Sequence, residues 1–194
     1  MRVLTLMAVV LGLALAQTNH SSMNPGGSSM KGMVALESLS GRAFDVAFMS
    51  QMIAHHQGAV VMAQRALEVS QDPRIRGAAQ AIVDVQQKEI AQLRGWLKSW
   101  YNLAPDKTQI ALMQADIKPM MDKSMAGMTP MQGMSMNVDR AFLEGMIPHH
   151  QDAVAMSELA LKKAAKPQLR QFAQGVIAAQ QKEIAQYQEW LKTL

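Results

Sequence analysis

The chain has 194 residues, a net charge of +4, no cysteine, 18 methionines and a hydrophobic fraction of 49% with only 5% aromatics. That length suits one ordinary domain with a real core, and the Ala, Leu, Met and Gln bias favours helix over sheet. Basic residues scattered among acidic ones argue against a nucleic-acid partner, and the lack of cysteine excludes disulfides, thiolate metal sites and a lipid-anchored N-terminal cysteine.

Arg2 precedes an apolar run from Val3 to Ala16 that ends Ala14-Leu15-Ala16. A basic start, a short apolar core and small residues before a cleavage point predict a signal peptide over residues 1–16, and so a periplasmic or secreted protein. The run is short for a bilayer span, so no stable membrane span is expected after cleavage. Residues 17–39 include Asn24-Pro25-Gly26-Gly27-Ser28-Ser29. That composition predicts a flexible Met/Gly/Ser arm.

A first helical hairpin is expected over 40–102. Apolar residues recur there at three- and four-residue spacing, and Asp72-Pro73 reads as an N-cap followed by proline at the first helical position. Residues 103–137 form a linker, with a short helix expected around Asp106 to Ser124. This linker holds Met120, Met121, Met125, Met128, Met131, Met134 and Met136 among Gly127, Thr129, Pro130 and Gly133. The glycines and proline argue against a packed helix. Two readings stay open: a loop of loose soft-metal ligands, or a greasy strap across the bundle. A second helical hairpin is expected over 138–194, with Pro167 repeating the break at Pro73.

The two hairpins are copies. Asp45–Lys98 aligns with Asp139–Lys192 without a gap, and half of the aligned positions are identical. The expected fold is therefore all-α, a four-helix bundle made of two repeated hairpins.

Four of the five histidines are the pairs His55-His56 and His149-His150, one pair per copy. On a helical wheel centred on Met52, His55 lies about 60° to one side, His56 about 40° to the other, and Met62 about 80° round. Both imidazoles flank the apolar stripe that holds Phe48, Ala59 and Ala66. Gln86 interrupts the apolar face of the second arm, Glu89 sits at its edge, and both fall level with the histidines in an antiparallel hairpin. One layer thus collects Met52, His55, His56, Gln86 and Glu89, with Met62 nearby; its copy collects Met146, His149, His150, Gln180 and Glu183, with Met156 nearby.

Thioether sulfur is soft and uncharged and selects Cu(I), while neutral imidazole takes copper, zinc or iron. Copper, as Cu(I), is the expected metal, with silver a soft alternative. Neighbouring histidines on a helix point about 100° apart, so one of each pair is expected as a ligand beside Met52 or Met62. The other is expected to meet Gln86 or reach across the bundle, with Glu89 orienting an imidazole through its second nitrogen. Pro148 should kink the helix before His149 and widen the second site.

The run Asp45, Phe48, Met52, Ile53, His55, His56, Gln57, Met62, Gln86, Glu89, Ile90, Trp96 and Leu97, repeated in the second copy, resembles the domain-of-unknown-function 305 family. The resemblance covers nearly all of the chain after residue 40. It implies a ferritin-like helical bundle, an exported or membrane-associated setting, and copper binding in some members. The expected function is metal buffering, resistance or transfer to a partner protein, with no catalysis, since no nucleophile–base–orienter set is visible. Three other readings fit parts of the pattern: a structural or interaction bundle with a buried His/Gln layer, a di-iron protein, which lacks its Glu-x-x-His pairs here, and a haem held by Met and His.

Overall fold

The computed structural model describes residues 30–129 and 137–194. The signal peptide over 1–16, the arm from 17 to 29, and Met131, Met134 and Met136 lie outside the described residues. The described residues form α1 (Lys31–Glu37), α2 (Gly41–Val69), α3 (Pro73–Tyr101), α4 (Lys107–Gly127), α5 (Val138–Lys163) and α6 (Pro167–Leu191). No described helix is long and apolar enough to cross a membrane.

The hairpin boundaries follow local chemistry. Asp72 caps α3 by accepting the Arg74 backbone N–H at 2.8 Å, with Pro73 at the first helical position. Asp106 caps α4 through Thr108 and Gln109, and Asn137 caps α5 through Arg140. α3 ends where Asn102 turns left-handed, at φ 53°, a conformation asparagine tolerates better than most residues.

α2 packs on α3 and α5 packs on α6, as the repeat demands, and α2 and α5 pack on each other. The core forms two clusters along this central pair. One joins the first half of α2 (Phe44, Phe48, Met52) to the second half of α5 (Met156, Ala160). The other joins the second half of α2 (Ala59, Met62, Ala66) to the first half of α5 (Phe142, Met146). α2 and α5 therefore run antiparallel, and the His pairs fall where the two clusters meet.

Two expectations change. The segment from 17 to 39 is not an arm to its end, because residues 31–37 form α1. The Asp116 carboxylate accepts from the Lys31 and Gly32 backbone at 3.0 and 2.6 Å, and Gln51 donates to the Gly32 carbonyl at 3.0 Å. The helix expected around Asp106 to Ser124 is present, but it also runs on into the Met-rich stretch, where the glycines and proline argued against packing. α4 runs from Lys107 to Gly127 and packs on both α2 and α5, burying Met113, Ile117 and, just past its end, Met128. The reason lies in the central pair. α2 and α5 each carry apolar residues beyond the stripe their hairpin partner covers, and a third helix buries them.

Candidate metal centre

α2 and α5 carry all four paired histidines into the interior, and none of the four is exposed to solvent. Across the α2–α5 contact the His55 and His149 rings face each other, with centroids 3.7 Å apart and planes tilted by 38°. Within each pair the rings diverge, with centroids 6.2 Å apart for His55–His56 and 6.4 Å for His149–His150. That divergence is what about 100° of helical rotation imposes on adjacent residues.

The outward member of each pair meets a carboxylate. His56 Nε2 lies 2.7 Å from Glu89 Oε2, and His150 Nε2 lies 2.8 Å from Glu183 Oε2. These are ion-pair distances, but neither ring N–H is aimed along the line as an aligned hydrogen bond requires. Gln86 and Gln180 are buried beside them, and their Oε1 atoms have no protein partner. Of the two side chains expected near the histidines, Glu89 and not Gln86 lies against His56, with Glu183 against His150 in the second copy. The two glutamines and the two glutamates line one narrow crevice between α3 and α6.

The inward pair is different. Neither nitrogen of His55 or His149 has a hydrogen-bond partner. Burial is the main cause that holds both rings well below the ordinary imidazole pKa, and the neighbouring histidines lower them further. Both rings are therefore neutral at physiological pH, with a free lone pair each. The sign of the pH dependence follows. The folded pKa lies below the unfolded value of 6.5, so the unfolded chain binds more protons as pH falls, and this stabilisation is present above pH 6.5 and lost below it. Asp152 acts oppositely. Burial, aided by the Asp116 charge, raises its pKa from 3.8 to about 7, so its contribution falls as pH rises through that window. We expect the metal-free unfolding midpoint to drop between pH 7 and pH 5 more steeply in the wild type than in a His55→Leu/His149→Leu variant, a difference that removes the shared Asp152 contribution. Equal slopes would show that these rings do not titrate on unfolding.

Four buried methionines lie on the two helices that carry the inward pair, in the two clusters that meet at it. Met52 and Met156 lie in one core cluster, Met62 and Met146 in the other, and all four are fully buried. The Met62 methyl reaches α5, 2.9 Å from where a Cβ on Gly145 would stand. Of these four, each cluster takes one from each copy, an arrangement across the copies that the sequence leaves open. Among the described residues no three His, Asp or Glu side chains gather closely enough to hold a metal by themselves. The buried thioethers on the same two helices are the soft donors that the chain offers beside His55 and His149, a donor type suited to a soft monovalent ion.

α5 runs through Pro148 as one helix, and a cavity of about 340 Å³ between α4 and α5 lies against Pro148, Glu144 and Gly145. Met120, Met121 and Met125 are half-buried along α4, packed against the core rather than loose. Two residues near the site escaped the sequence reading. Tyr187 is buried with its ring 5.8 Å from His150. The copies differ here, Leu93 standing where the second has Tyr187, and that difference was the available signal. Gly58 was the other. A Cβ there would stand 2.9 Å from Met121 Sδ and 3.4 Å from His149 Nε2.

Comparison with known proteins places this arrangement. An uncharacterized protein, L153, of Acanthamoeba polyphaga mimivirus is 41% identical over 46 residues, which cover 24% of this chain and 30% of the viral protein. CopM, solved in Cu(I)-bound, Cu(II)-bound and silver-bound forms, is similar in structure. Its Cu(I) form is 27% identical across 77% of this chain and 96% of CopM, with a TM-score of 0.62. A DUF305 fragment from Deinococcus radiodurans is 25% identical over 77% of this chain and 96% of the fragment, with a TM-score of 0.65. The sequence profile described as "Domain of unknown function (DUF305)" matches residues 13–97 and 45–191, each segment holding one or both Met-x-x-His-His clusters. On these matches, and on a helical fold shared with its structural relatives, the chain belongs to the DUF305 family.

Proposed function

We propose that this chain is an exported copper-binding protein that holds Cu(I) between its two hairpins and buffers it or hands it to a partner protein, without turnover. One observation carries the reading: His55 and His149 face each other at 3.7 Å, fully buried, with no partner on any of their four ring nitrogens. Buried polar atoms are normally satisfied, and an unpaired one calls for an explanation, a bound ion or water among them. Met52, Met62, Met146 and Met156, buried on the same two helices, offer soft donors, and thioethers need no deprotonation to bind. Copper-bound and silver-bound forms of CopM, at 27% and 28% identity, support the same ligand class. Export rests on the residue 1–16 segment, and cleavage after Ala16 is the expected N-terminus of the secreted chain.

The test is a Cu(I) titration of the chain from residue 17 onward against a competing chromophoric chelator, with Ag(I) and Zn(II) as comparison ions. Cu(I) and Ag(I) should compete for the same sites, and Zn(II) should displace neither. A His55→Leu/His149→Leu variant should bind at least about 100-fold more weakly, the equivalent of about 2.8 kcal/mol. Wild-type protein that leaves all copper on the chelator would return the layer to a structural role, with the Glu89 and Glu183 contacts setting bundle register.

A further inference from the structure

All four imidazoles are sealed from solvent, so an ion bound there must have a way in. Besides a cavity of about 390 Å³ that borders Glu183 and Tyr187 on the His150 side, three openings approach the layer. The crevice between α3 and α6, flanked by Glu89 and Glu183, holds only about 20 Å³, room for roughly one water. The cavity between α4 and α5 is stopped at Gly145 by the Ser124 side chain, which packs hard against that glycine and donates to the Ala141 carbonyl at 3.1 Å. The third opening is a groove of about 250 Å³ between α2 and α4. Its rim, at Gln57, Val61, Lys118 and Asp122, is exposed, and its inner wall holds Gly58 and Met121.

Resting on the copper reading above, we infer that this groove is the port of the centre and that Met121 Sδ is the receiving ligand that passes the ion to His149. The geometry is specific. Met121 is half-buried and lines the groove. Its Sδ and the His149 Nε2 both lie against the bare face of Gly58, 2.9 and 3.4 Å from the position a Cβ would take. His149 Nε2 has no other partner. Any other residue at position 58 would fill the gap that links sulfur to imidazole, and would also press on Ile117 Cδ1 at 2.8 Å. The rim is charge-balanced, because Lys118 Nζ pairs with Asp122 at 2.5 Å, so the groove presents a largely apolar wall ending in a thioether. Such a path suits a soft monovalent ion exchanging one thioether or imidazole for another, and disfavours hydrated hard cations. The transfer is ligand exchange only, with no change in copper oxidation state. The repeat supplies a contrast, since position 58 is glycine on α2 while its copy on α5 is Asp152; only one side of the central pair is cut open this way.

The experiment is the rate of Cu(I) uptake by the full chain from residue 17 onward, delivered as a chromophoric Cu(I) chelate and followed by loss of the chelate's colour. Met121→Leu keeps the packing volume and removes the sulfur; Gly58→Ala fills the gap. Both should slow uptake at least tenfold while leaving the final number of ions bound, and helix content by circular dichroism, unchanged. Met121→Leu carries the test if Gly58→Ala disturbs α4. Uptake at the wild-type rate in Met121→Leu would overturn the port. So would a loss of capacity at an unchanged rate, which would make Met121 a resident ligand instead. A wild-type chain that takes up no copper overturns the copper reading and the port together, whereas a wild type that loads beside an equally fast Met121→Leu overturns the port alone.

Discussion

Replacing His55 and His149 together by leucine is expected to leave the metal-free chain as stable as the wild type, or more stable, while erasing the rise in melting temperature that Cu(I) confers. The two halves of that outcome have separate causes. In the metal-free chain the inward rings bury four nitrogens without partners, and an unsatisfied buried polar group costs about 1–3 kcal/mol. Leucine is close to histidine in volume and carries no polar atom, so the swap removes that cost with modest strain. With metal, binding to the folded state alone adds about 2.7 kcal/mol at a free concentration 100 times Kd, or about 5–10 °C for a chain of this size. The variant should lack this shift. A structural His layer predicts the reverse pattern. If His55 and His149 hold the two hairpins in register, the leucine variant should lose about 2 kcal/mol or more without metal, and Cu(I) should shift neither protein. Melting curves of both proteins, with and without Cu(I), decide between the two roles.

The sequence made some of this visible for physical reasons. A duplicated hairpin carries its own alignment, so helix ends, the turn at Asp72-Pro73 and the level of each His layer were readable from one copy against the other. The divergence of His55 from His56 follows from helical geometry alone. How the hairpins dock does not. A wheel shows which face of α2 is apolar but not which helix meets it, so the cross-copy sharing of Met52 with Met156, and of Met62 with Met146, appears only once α2 and α5 cross. Gln86 and Glu89 sit three residues apart on one helix, and about 60° of rotation decides which of them faces His56. α4 was legible in part: the sequence predicts a helix over 106–124, but not its reach into the methionine stretch to Gly127 or its packing on two neighbours, which local sequence cannot report. Met121 lies inside the helix expected over 106–124; which neighbours that helix packs on, and so where Met121 stands, needed the docked structure.

The docking itself depends on one buried carboxylate, and its removal is the second large effect expected. Asp45 is fully buried. It accepts the Tyr101 hydroxyl at 2.6 Å and the backbone N–H groups of Ala165 and Lys166 at 2.8 and 3.2 Å. Three segments meet on it: α2, the end of α3 and the turn between α5 and α6. Burial, then the hydrogen bond to Asp45, hold the Tyr101 hydroxyl protonated well above its ordinary range. Asp45→Ala strands two backbone donors and a phenol, and should cost about 3 kcal/mol, since hydrogen bonds to charged groups are worth about 1.5–3 kcal/mol each but are not additive. Tyr101→Phe removes one of the three and should cost about 1 kcal/mol. The duplication supplies the control. Asp139 is the same residue in the second copy, yet its Oδ1 is buried without a partner, and its placement in the first turn of α5 is worth only about 0.3–1 kcal/mol. Asp139→Ala should therefore be several-fold milder in a denaturant titration. Equal losses at the two positions would mean that Asp45 acts as a local helix cap rather than a clamp between hairpins. If the clamp holds, Asp45→Ala should also weaken Cu(I) binding although it touches none of the ligands, because His55 reaches His149 only while α2 and α5 stay docked.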